Sequence, residues 1–250
     1  MTSFAGKTIV VSGASSGIGR SIVEHLGHLG ANLILIGRNR KRLEEAAARS
    51  EAKVCRILEL DLGETTAIAP AIEDAARAIG RLYGLCHAAG TVETLQFGAT
   101  TPEKFQSMLS VNYFGGMELA RAVCRRDLLE SDGGSILFIS SIYGLIGKAG
   151  QVAYSGSKGA LTAAARSMAI ELARRNVRVN VLSPGMVWTE MTEKALARLT
   201  PQQVQALKDY HPLGIGTVED IAKAAAFLLS PSSKWITGTD LVVDGGYSAQ

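Results

Sequence analysis

Residues 8–19, TIVVSGASSGIG, decide the fold of this 250-residue chain. A short apolar run ends in Gly13, Gly17 and Gly19, and an amphipathic stretch begins directly behind them. This order predicts a strand, a turn and a helix whose N-terminus can bind phosphate through free N–H groups and the helix dipole. Gly13 permits the sharp turn, Gly17 lets backbone approach a pyrophosphate, and Gly19 lets the helix pack against the strand. The alternative is a plain β-to-α turn without a ligand.

Outward from this unit, short apolar runs alternate with longer helical patterns. The runs are continuously apolar, as expected for strands buried on both faces of a parallel sheet. They lie at residues 8–12, 32–36, 54–58, 82–87, 135–140, 177–182 and 241–243. The helical patterns lie at residues 18–29, 41–50, 65–79, 102–129, 152–175 and 218–229. This order predicts one α/β domain over residues 1–250, with a doubly wound, seven-stranded parallel sheet and helices on both faces (a Rossmann arrangement). Residues 188–211 break the alternation and are predicted to form a short helical lid over the substrate.

Composition excludes several classes of protein. Hydrophobic residues make up 47% of the chain and charged residues 20%, which excludes a disordered chain, a coiled coil and a collagen-like fibre. The net charge is only +3, so we expect no nucleic-acid partner. We expect no membrane span, because no apolar stretch reaches about 18 residues, and no signal peptide. Cys55, Cys86 and Cys124 lie far apart, which predicts buried thiols, no metal site and a reducing, cytoplasmic location.

The end of the second predicted strand indicates which dinucleotide binds. A site for NAD places Asp or Glu there to bond the ribose 2′-hydroxyl, whereas this chain has Gly37 followed by Arg38. Arginine suits a 2′-phosphate, so we predict NADP(H) as the cofactor. The alternative is that Arg38 and Arg40 belong to a solvated loop face. Asp61, behind the third strand, could accept from the adenine amino group or cap the following helix.

Tyr154 and Lys158 form the candidate catalytic pair. Their spacing of four residues places them on one face of one helix, where the ammonium group can favour the phenolate and lower the tyrosine pKa. Ser141 closes the fifth strand, at the edge where a parallel sheet binds ligands, and can hold the same substrate oxygen as the tyrosine. Asn112 lies inside a helical pattern, where asparagine is unfavourable; it could bind water, kink the helix or cap a turn. The alternative for the pair is an ordinary surface helix.

These motifs together resemble those of the short-chain dehydrogenase/reductase family in its single-domain form, over essentially the whole chain. The motifs that carry the resemblance are Gly13, Gly17, Gly19, Asp61, Asn112, Ser141, Tyr154, Lys158, Ser183-Pro184-Gly185, Thr189 and residues 241–246. The resemblance implies a catalytic tetrad of Asn112, Ser141, Tyr154 and Lys158. In it, Tyr154 would be the general acid in reduction, Ser141 would bind the substrate oxygen, Lys158 would contact the nicotinamide ribose, and Asn112 would hold a water that relays protons by way of Lys158.

The resemblance and the residue patterns also give an expected set of cofactor contacts. It comprises Gly13, Ser15, Ser16, Gly17, Ile18, Gly19, Arg38, Asp61, Leu62, Ala89, Gly90, Tyr154, Lys158, Pro184, Gly185, Val187 and Thr189. Two positions depart from the family pattern. His87-Ala88-Ala89-Gly90 stands where the family usually has Asn-Asn-Ala-Gly, so His87 either replaces the hydrogen bond of the missing asparagine or is a satisfied core histidine. Ser16 stands where many NADP-dependent relatives have a basic residue.

The overall pattern is similar to bacterial 3-oxoacyl-acyl-carrier-protein reductases, which act in fatty acid biosynthesis. We therefore expect hydride transfer between NADP(H) and a carbonyl or secondary alcohol, and most of all reduction of a 3-oxoacyl thioester. The alternatives are NAD(P)-dependent conversion of a free ketone, alcohol or sugar and, more remotely, a non-catalytic dinucleotide sensor. An apolar substrate wall is expected from Tyr143, Gly144, Leu145, Ile146, Trp188 and Met191. Relatives commonly pair the helices that follow strands four and five into a homotetramer, which is expected here too.

Overall fold

The computed structural model describes residues 3–197 and 199–249, so Arg198 of the predicted lid and the outermost ends of the predicted domain lie outside the described residues. Within these ranges seven parallel strands form one sheet in the order β3-β2-β1-β4-β5-β6-β7. Helices cover both faces, which confirms the predicted doubly wound α/β class. The strands are β1 (Thr8–Ser12), β2 (Asn32–Gly37), β3 (Cys55–Glu59), β4 (Gly84–His87), β5 (Gly134–Ile139), β6 (Val177–Pro184) and β7 (Asp240–Val243).

The helices follow the predicted alternation closely. They are α1 (Gly17–His28), α2 (Arg40–Ser50), α3 (Ile68–Ile79), α4 (Pro102–Leu109), α5 (Gly115–Val123), α6 (Val152–Leu172), α7 (Glu190–Leu196), α8 (Pro201–Asp209) and α9 (Val218–Leu229). Short 3₁₀ turns precede α3 and follow α6. The predicted lid therefore contains two helices, α7 and α8.

The central strands are apolar throughout because both of their faces are covered. Neighbouring residues of β2 point to opposite sides, and Ile34 packs in one core cluster while Leu35 packs in the other. The first cluster also holds Ile72 of α3, and the second holds Ile22 of α1 and other residues of α2 and α9. A continuous run of apolar residues is thus what a doubly covered strand requires.

The predicted helix over residues 102–129 differs from the structure. It is divided by a π-helical turn, Ser110–Phe114, and the last helix ends at Val123. The backbone N–H of Gly115 donates to the carbonyl of Ser110, five residues back. Such a turn inserts one extra residue into a helix and changes which side chains face the sheet, often at functional sites. Here it carries Asn112, which is fully buried.

The topology fixes the position of the site. β1 lies between β2 and β4, so the strand order reverses at β1. A crevice opens at such a switch point, beyond the carboxyl ends of the strands. Ser12 and His87 are register partners at the ends of β1 and β4 and mark its floor. Along residues 3–197 and 199–249, no helix is both long and apolar enough to cross a bilayer.

Candidate active site

The turn between β1 and α1 has room only for glycine at two positions. Gly13 has φ +67°, and a Cβ placed there would lie 2.7 Å from the backbone nitrogen of Ala89. A Cβ on Gly19 would lie 2.2 Å from the carbonyl oxygen of Gly13. These approaches are too close for any side chain, so the two glycines let the turn close against both the helix and the end of β4.

The N-terminus of α1 lies at the cavity and is left uncapped by its own residues. Ser16, which precedes the helix, has an extended backbone, and its side chain makes no capping hydrogen bond. The first turn of α1 contains no acidic residue. Free backbone N–H groups and the positive end of the helix dipole therefore face the cavity with no carboxylate on the first turn of the helix itself. This arrangement fits the pyrophosphate of a dinucleotide.

The last residue of β2 is Gly37, so this strand ends without a carboxylate side chain. A Cβ on Gly37 would lie 3.2 Å from Leu43 Cδ2 and 3.4 Å from Ser15 Oγ, so a larger side chain would be crowded there. The exposed guanidinium of Arg38 lies 3.9 Å from a carboxylate oxygen of Asp61. Asp61 itself accepts from the backbone N–H of Gly63, and its side chain does not cap the following helix.

One cavity of about 500 Å³ collects nearly all of the predicted cofactor residues. Its lining includes Gly13, Ser15, Ser16, Gly17, Ile18, Gly19, Arg38, Asp61, Leu62, Ala89, Gly90, Tyr154, Lys158, Gly185, Val187 and Thr189. Pro184 is not part of the lining; it is the last residue of β6 and pairs with Val243. Its contact with a cofactor stays a prediction. Of the predicted tetrad, Ser141, Tyr154 and Lys158 line the same cavity, whereas Asn112 lies buried behind it.

Tyr154 and Ser141 both line this cavity. They hydrogen-bond to each other, and the bond from Ser141 lowers the pKa of the tyrosine. Burial has the larger effect and raises the pKa of Tyr154 above its ordinary value. The pKa of Tyr154 is therefore raised overall, and the predicted lowering of this pKa by Lys158 stays a prediction. The phenol is protonated at neutral pH and can donate to an oxygen.

Burial also acts on Lys158, which lies beside the phenol. Its side chain is buried, and burial lowers the pKa of the amine to about 8. The Nζ atom donates to the backbone carbonyl of Ile139 at 2.9 Å and lies 5.8 Å from the centre of the Tyr154 ring. The lysine thus lies beside the phenol without a hydrogen bond to it. It is also close to Gly90, because a Cβ placed on that glycine would lie 3.3 Å from Nζ.

Asn112 has a different position from the other three residues. Its Oδ1 accepts from the backbone N–H of Thr91 at 2.7 Å, and its Nδ2 donates to the carbonyl of Thr91 at 2.9 Å and to Ser157 Oγ at 3.0 Å. The side chain therefore joins the loop after β4 to α6, one residue before Lys158. The proton-relay water expected at Asn112 stays a prediction.

Sequence reasoning missed several residues of the cavity. The Gln151 amide donates to Thr94 Oγ1 at 2.7 Å, and both residues line the cavity beside Tyr154. Thr94 lies in an irregular loop, so no periodicity marks it. Gln151 precedes α6 three positions before Tyr154, and that spacing was the available signal. Of the expected apolar wall only Tyr143 and Met191 line the cavity.

The other wall residues are not part of the lining for structural reasons. The chain turns sharply after Ser141 in a 3₁₀ turn, Ile142–Gly144, and Leu145 behind it is 44% exposed. The backbone of Trp188 bonds to Gly216, and its indole is 39% exposed. Gly144, Leu145, Ile146 and Trp188 therefore do not form the wall predicted for them.

Comparison with known proteins agrees with this geometry. A family model of short-chain dehydrogenases/reductases, described as enoyl-(acyl carrier protein) reductase, matches residues 13–248. The chain belongs to the short-chain dehydrogenase/reductase family. As a member of this family of oxidoreductases, it has a site for a nicotinamide dinucleotide.

Three similar proteins show the breadth of the family around this chain. The human 3-oxoacyl-[acyl-carrier-protein] reductase is 36% identical over 96% of this chain and 97% of its own length. Galactitol 2-dehydrogenase (L-tagatose-forming) of Cereibacter sphaeroides is also 36% identical, over 97% of this chain and 95% of its own. The crystal structure of carveol dehydrogenase from Mycobacterium avium in complex with NAD matches all of both chains with a TM-score of 0.92 and 25% identity.

Proposed function

We propose that this protein is an NADP(H)-dependent reductase of carbonyl compounds and that 3-oxoacyl thioesters are its main substrates. The observation that carries the proposal is the hydroxyl pair of Tyr154 and Ser141, which opens into the cavity that begins at the glycine turn. The roles of Asn112, Ser141, Tyr154 and Lys158 as a tetrad are part of the same proposal. So is a single catalytic domain with the segment 188–211 as its substrate cover.

The chain's own residues account for the proton and the orientation of the carbonyl. The bound nicotinamide dinucleotide supplies or accepts the hydride. Ser141 and Tyr154 together hold the substrate oxygen, on which negative charge develops as the carbonyl is reduced. Tyr154 donates its proton to that oxygen, and its raised pKa keeps the proton in place until then. Lys158 lies beside the phenol and stabilises negative charge on it after transfer.

NADP(H) is proposed because of Gly37 and Arg38. No carboxylate stands at the end of β2 to repel a 2′-phosphate, and the Arg38 guanidinium is exposed at the cavity and only loosely paired with Asp61 at 3.9 Å. A bidentate contact between arginine and phosphate is worth roughly 1.5–3 kcal/mol.

Steady-state kinetics with the two cofactors test this choice. The parent protein should prefer NADPH over NADH in kcat/KM by at least about tenfold. Arg38→Ala should remove most of that preference and leave kcat/KM for NADH unchanged. Gly37→Asp is the matched reversal: the end of the Leu43 side chain has to shift slightly to admit the new Cβ, and preference should then move toward NADH. Equal use of both cofactors by the parent protein would contradict the proposal.

The substrate region of the cavity has an apolar and a polar side. Ile142 and Met191 suit an acyl chain, which favours a thioester substrate. The hydrogen-bonded pair of Thr94 and Gln151 favours a second candidate, a polyol or sugar, because such substrates need polar partners beside the reacting carbon. Galactitol 2-dehydrogenase, at 36% identity, is a relative of that second kind.

Assays with acetoacetyl thioesters against a panel of free ketones and sugar alcohols separate the two candidates. Under the main proposal the thioester has the highest kcat/KM, and Gln151→Leu changes it by less than about threefold. Under the second candidate a polyol is preferred, and Gln151→Leu lowers its kcat/KM by more than about tenfold, because a substrate hydroxyl loses its partner. Dinucleotide binding without turnover of any of these compounds would favour a sensor.

A homotetramer is a further part of the proposal. Phe114 on the π-helical turn and Ile170 on α6 are 50% and 80% exposed, and both belong to the helical segments expected to pair. Small side chains along α6, such as Ala163, would let two helices approach closely. Light scattering should give four times the chain mass of 26.4 kDa, and Phe114→Glu should lower it. A parent protein that scatters as a monomer would contradict this.

We also propose a cytoplasmic location, on the basis of the cysteines. Cys55, Cys86 and Cys124 are all free thiols. Burial raises the pKa of the Cys86 thiol to about 12 and that of Cys55 to about 11, so these groups are protonated and unreactive at neutral pH. Cell fractionation tests the location directly.

A further inference from the structure

His87 is the clearest departure of this chain from its family and is fully buried at the end of β4. Neither the proposed proton transfer nor the cofactor cavity uses it, since its side chain does not line the cavity. A buried polar ring needs hydrogen-bond partners, and those of His87 lie on two other elements. They define what the ring can do.

Both ring nitrogens of His87 are engaged. Nδ1 lies 2.8 Å from Ser12 Oγ, and Nε2 lies 3.3 Å from the backbone carbonyl oxygen of Asn112. A carbonyl only accepts, so Nε2 must carry the proton and Nδ1 must accept from the Ser12 hydroxyl. Ser12 Oγ in turn accepts from the backbone N–H of Ala89. The ring therefore connects the end of β1 to the π-helical turn.

This tautomer is stable because the ring stays neutral. Burial and, to a smaller extent, the nearby charge of Lys158 lower the pKa of His87 to about 3, against an opposing effect of the hydrogen bond to the Asn112 carbonyl. Phe138 packs edge-on against the ring, with centroids 6.2 Å apart. At any pH at which a reductase of this kind works, His87 is a neutral donor at Nε2 and a neutral acceptor at Nδ1.

Gly116 makes room for the imidazole. A Cβ at this position would lie 2.7 Å from His87 Cδ2 and 2.8 Å from Nε2. Gly116 belongs to the first turn of α5, directly behind the π-helical turn. Histidine at position 87 and glycine at position 116 thus fit each other, and the ring occupies the space that a larger residue on α5 would take.

From Asn112 the connection continues to the catalytic helix. The Asn112 amide donates to Ser157 Oγ at 3.0 Å, and Ser157 Oγ donates to the backbone carbonyl of Tyr154 at 2.8 Å. Ser157 directly precedes Lys158. A hydrogen-bonded chain therefore runs from Ser12 beside the glycine turn, through His87 and Asn112, to the helix that carries the proposed proton donor.

We propose that His87 is a positioning residue, which holds the Asn112 carbonyl at a fixed distance from the end of β1 and thereby sets the position of Tyr154 and Lys158 relative to the cofactor turn. This inference rests on the proposed reductase function. It assigns to His87 a task beyond filling the core: the two hydrogen bonds orient a π-helical turn that has no other side-chain link to β1 among the hydrogen bonds of residues 3–197 and 199–249. Misplacement of a catalytic group by about 1 Å can lower turnover by up to about a hundredfold.

His87→Leu and His87→Gln test the positioning role. Leucine fills the space without hydrogen bonds, whereas the amide nitrogen of glutamine lies about as far from Cβ as the imidazole Nε2 and can donate to the Asn112 carbonyl. We expect His87→Leu to lower kcat by about tenfold or more, with the Kd for NADPH and the substrate KM within about twofold of the parent. His87→Gln should restore kcat to within about threefold. Assays are run well below the Tm of each variant.

A role in stability alone predicts a different result. In that case His87→Leu lowers the Tm but retains the kcat of the parent below it, and this outcome would overturn the proposal. Equal losses of kcat in the leucine and glutamine variants would overturn it too, because the donor would then make no difference. If His87→Leu does not fold, His87→Gln and the pair of variants below still decide the contact.

Gly116→Ala gives a measurement that does not depend on turnover. In the parent protein the added Cβ meets the imidazole, so the Tm and the kcat should both fall. In the His87→Asn background the same change should lower the Tm by less than half as much, because the ring is gone. Equal effects in both backgrounds would overturn the proposed contact. If the parent protein turns over no carbonyl compound, the proposed function fails, while this cycle still reports on His87.

Discussion

The floor of the site and its lid are built in opposite ways. The floor, formed by Ser12, His87, Asn112, Ser157 and Lys158, is almost completely buried, and its side chains are hydrogen-bonded to one another or to backbone. The lid, residues 188–211, contains α8, which buries none of its residues, and Met191 over the cavity is 56% exposed.

The predicted lid is held by local packing and by polar contacts: Leu196 and His211 are buried, and the ring of His211 lies 4.8 Å from that of Tyr247. Thr192 Oγ1 donates to the carbonyl of Val187, Glu190 forms an exposed ion pair with Arg42 at 3.0 Å, and His211 Nε2 accepts from the backbone N–H of Met186. Exposed ion pairs contribute little to stability. The difference teaches that core-like packing fixes the proposed reacting groups, whereas the proposed substrate cover includes a helix, α8, that is exposed along its whole length.

The largest expected effect is at Tyr154, which lines the cavity. Tyr154→Phe removes the proton donor and should lower kcat by at least about a hundredfold. The Kd for NADPH should stay within about threefold, because the ring and its packing remain. Ser141→Ala is a companion variant that keeps the phenol and should lose less. Near-normal turnover by Tyr154→Phe would show that another group donates the proton.

At Lys158 we expect a substitution to raise the stability of the protein and to lower its activity. The pKa of Lys158 is about 8 in the folded protein and 10.5 in the unfolded chain, so the free energy of unfolding depends on pH between these values. It is highest above pH 10.5 and decreases as the pH falls to 8. Below pH 8 the buried ammonium therefore costs stability. Lys158→Met should raise the free energy of unfolding at pH 7 by on the order of 2 kcal/mol, after the loss of one hydrogen bond, while kcat collapses.

Chemical denaturation at pH 7 and pH 10.5 measures this difference. The gain of Lys158→Met over the parent should be present at pH 7 and absent at pH 10.5. A variant that is less stable than the parent at pH 7 would show that the bond to Ile139 compensates the buried charge.

His87 should make the stability of the protein depend on pH in the acid range. Its folded pKa of about 3 lies below the unfolded value of 6.5, so its contribution is complete above pH 6.5 and is lost as the pH falls toward 3. The parent should lose about 1.4 kcal/mol per pH unit more than His87→Asn over this window. Denaturation curves of both proteins from pH 7 to pH 4 give the two slopes. Parallel slopes would mean that His87 is protonated in the folded protein.

The smallest effects are expected at two helix N-caps, one on α9, which packs on the sheet, and one on α8 in the predicted lid. Thr217 begins α9 and Thr200 begins α8, each in a capping box, with Asp220 and Gln203 respectively. Thr217→Ala should cost about 1 kcal/mol and lower the Tm by about 2–4 °C, because α9 packs on the sheet. Thr200→Ala should leave the Tm within about 1 °C and raise the substrate KM instead. Equal Tm losses would show that the lid unfolds together with the core.

Much of this structure could be predicted from the sequence because its signals are local. The predicted strand 8–12 and the predicted helix 218–229 have the same bounds in the structure. In both, the spacing of apolar residues along the sequence shows directly which side chains are buried. Gly13 and Gly19 mark the cofactor turn because no other residue fits there. Tyr154 and Lys158 are one helical turn apart, so their proximity follows from spacing alone.

Other features depend on which elements meet. For the π-helical turn the sequence offers only Asn112, which is unfavourable inside a helix; the extra residue itself depends on the hydrogen bonds of Asn112 with His87 and Thr91. The raised pKa of Tyr154 depends on burial by neighbouring elements, which outweighs the hydrogen bond from Ser141. Thr94 and Gln151 are 57 residues apart and meet only in the fold.

By itself, then, the sequence determined the parallel sheet, the glycine turn that faces a phosphate and the pair of residues suited to proton transfer. Each of these needs only contacts within one helix, one strand or one tight turn. The tertiary structure decided the surroundings that give those groups their properties: the neutral His87 between Ser12 and Asn112, the buried amine of Lys158 and the polar side of the substrate cavity. Desolvation and long-range hydrogen bonds arise only when distant segments pack together, so they are absent from any local pattern.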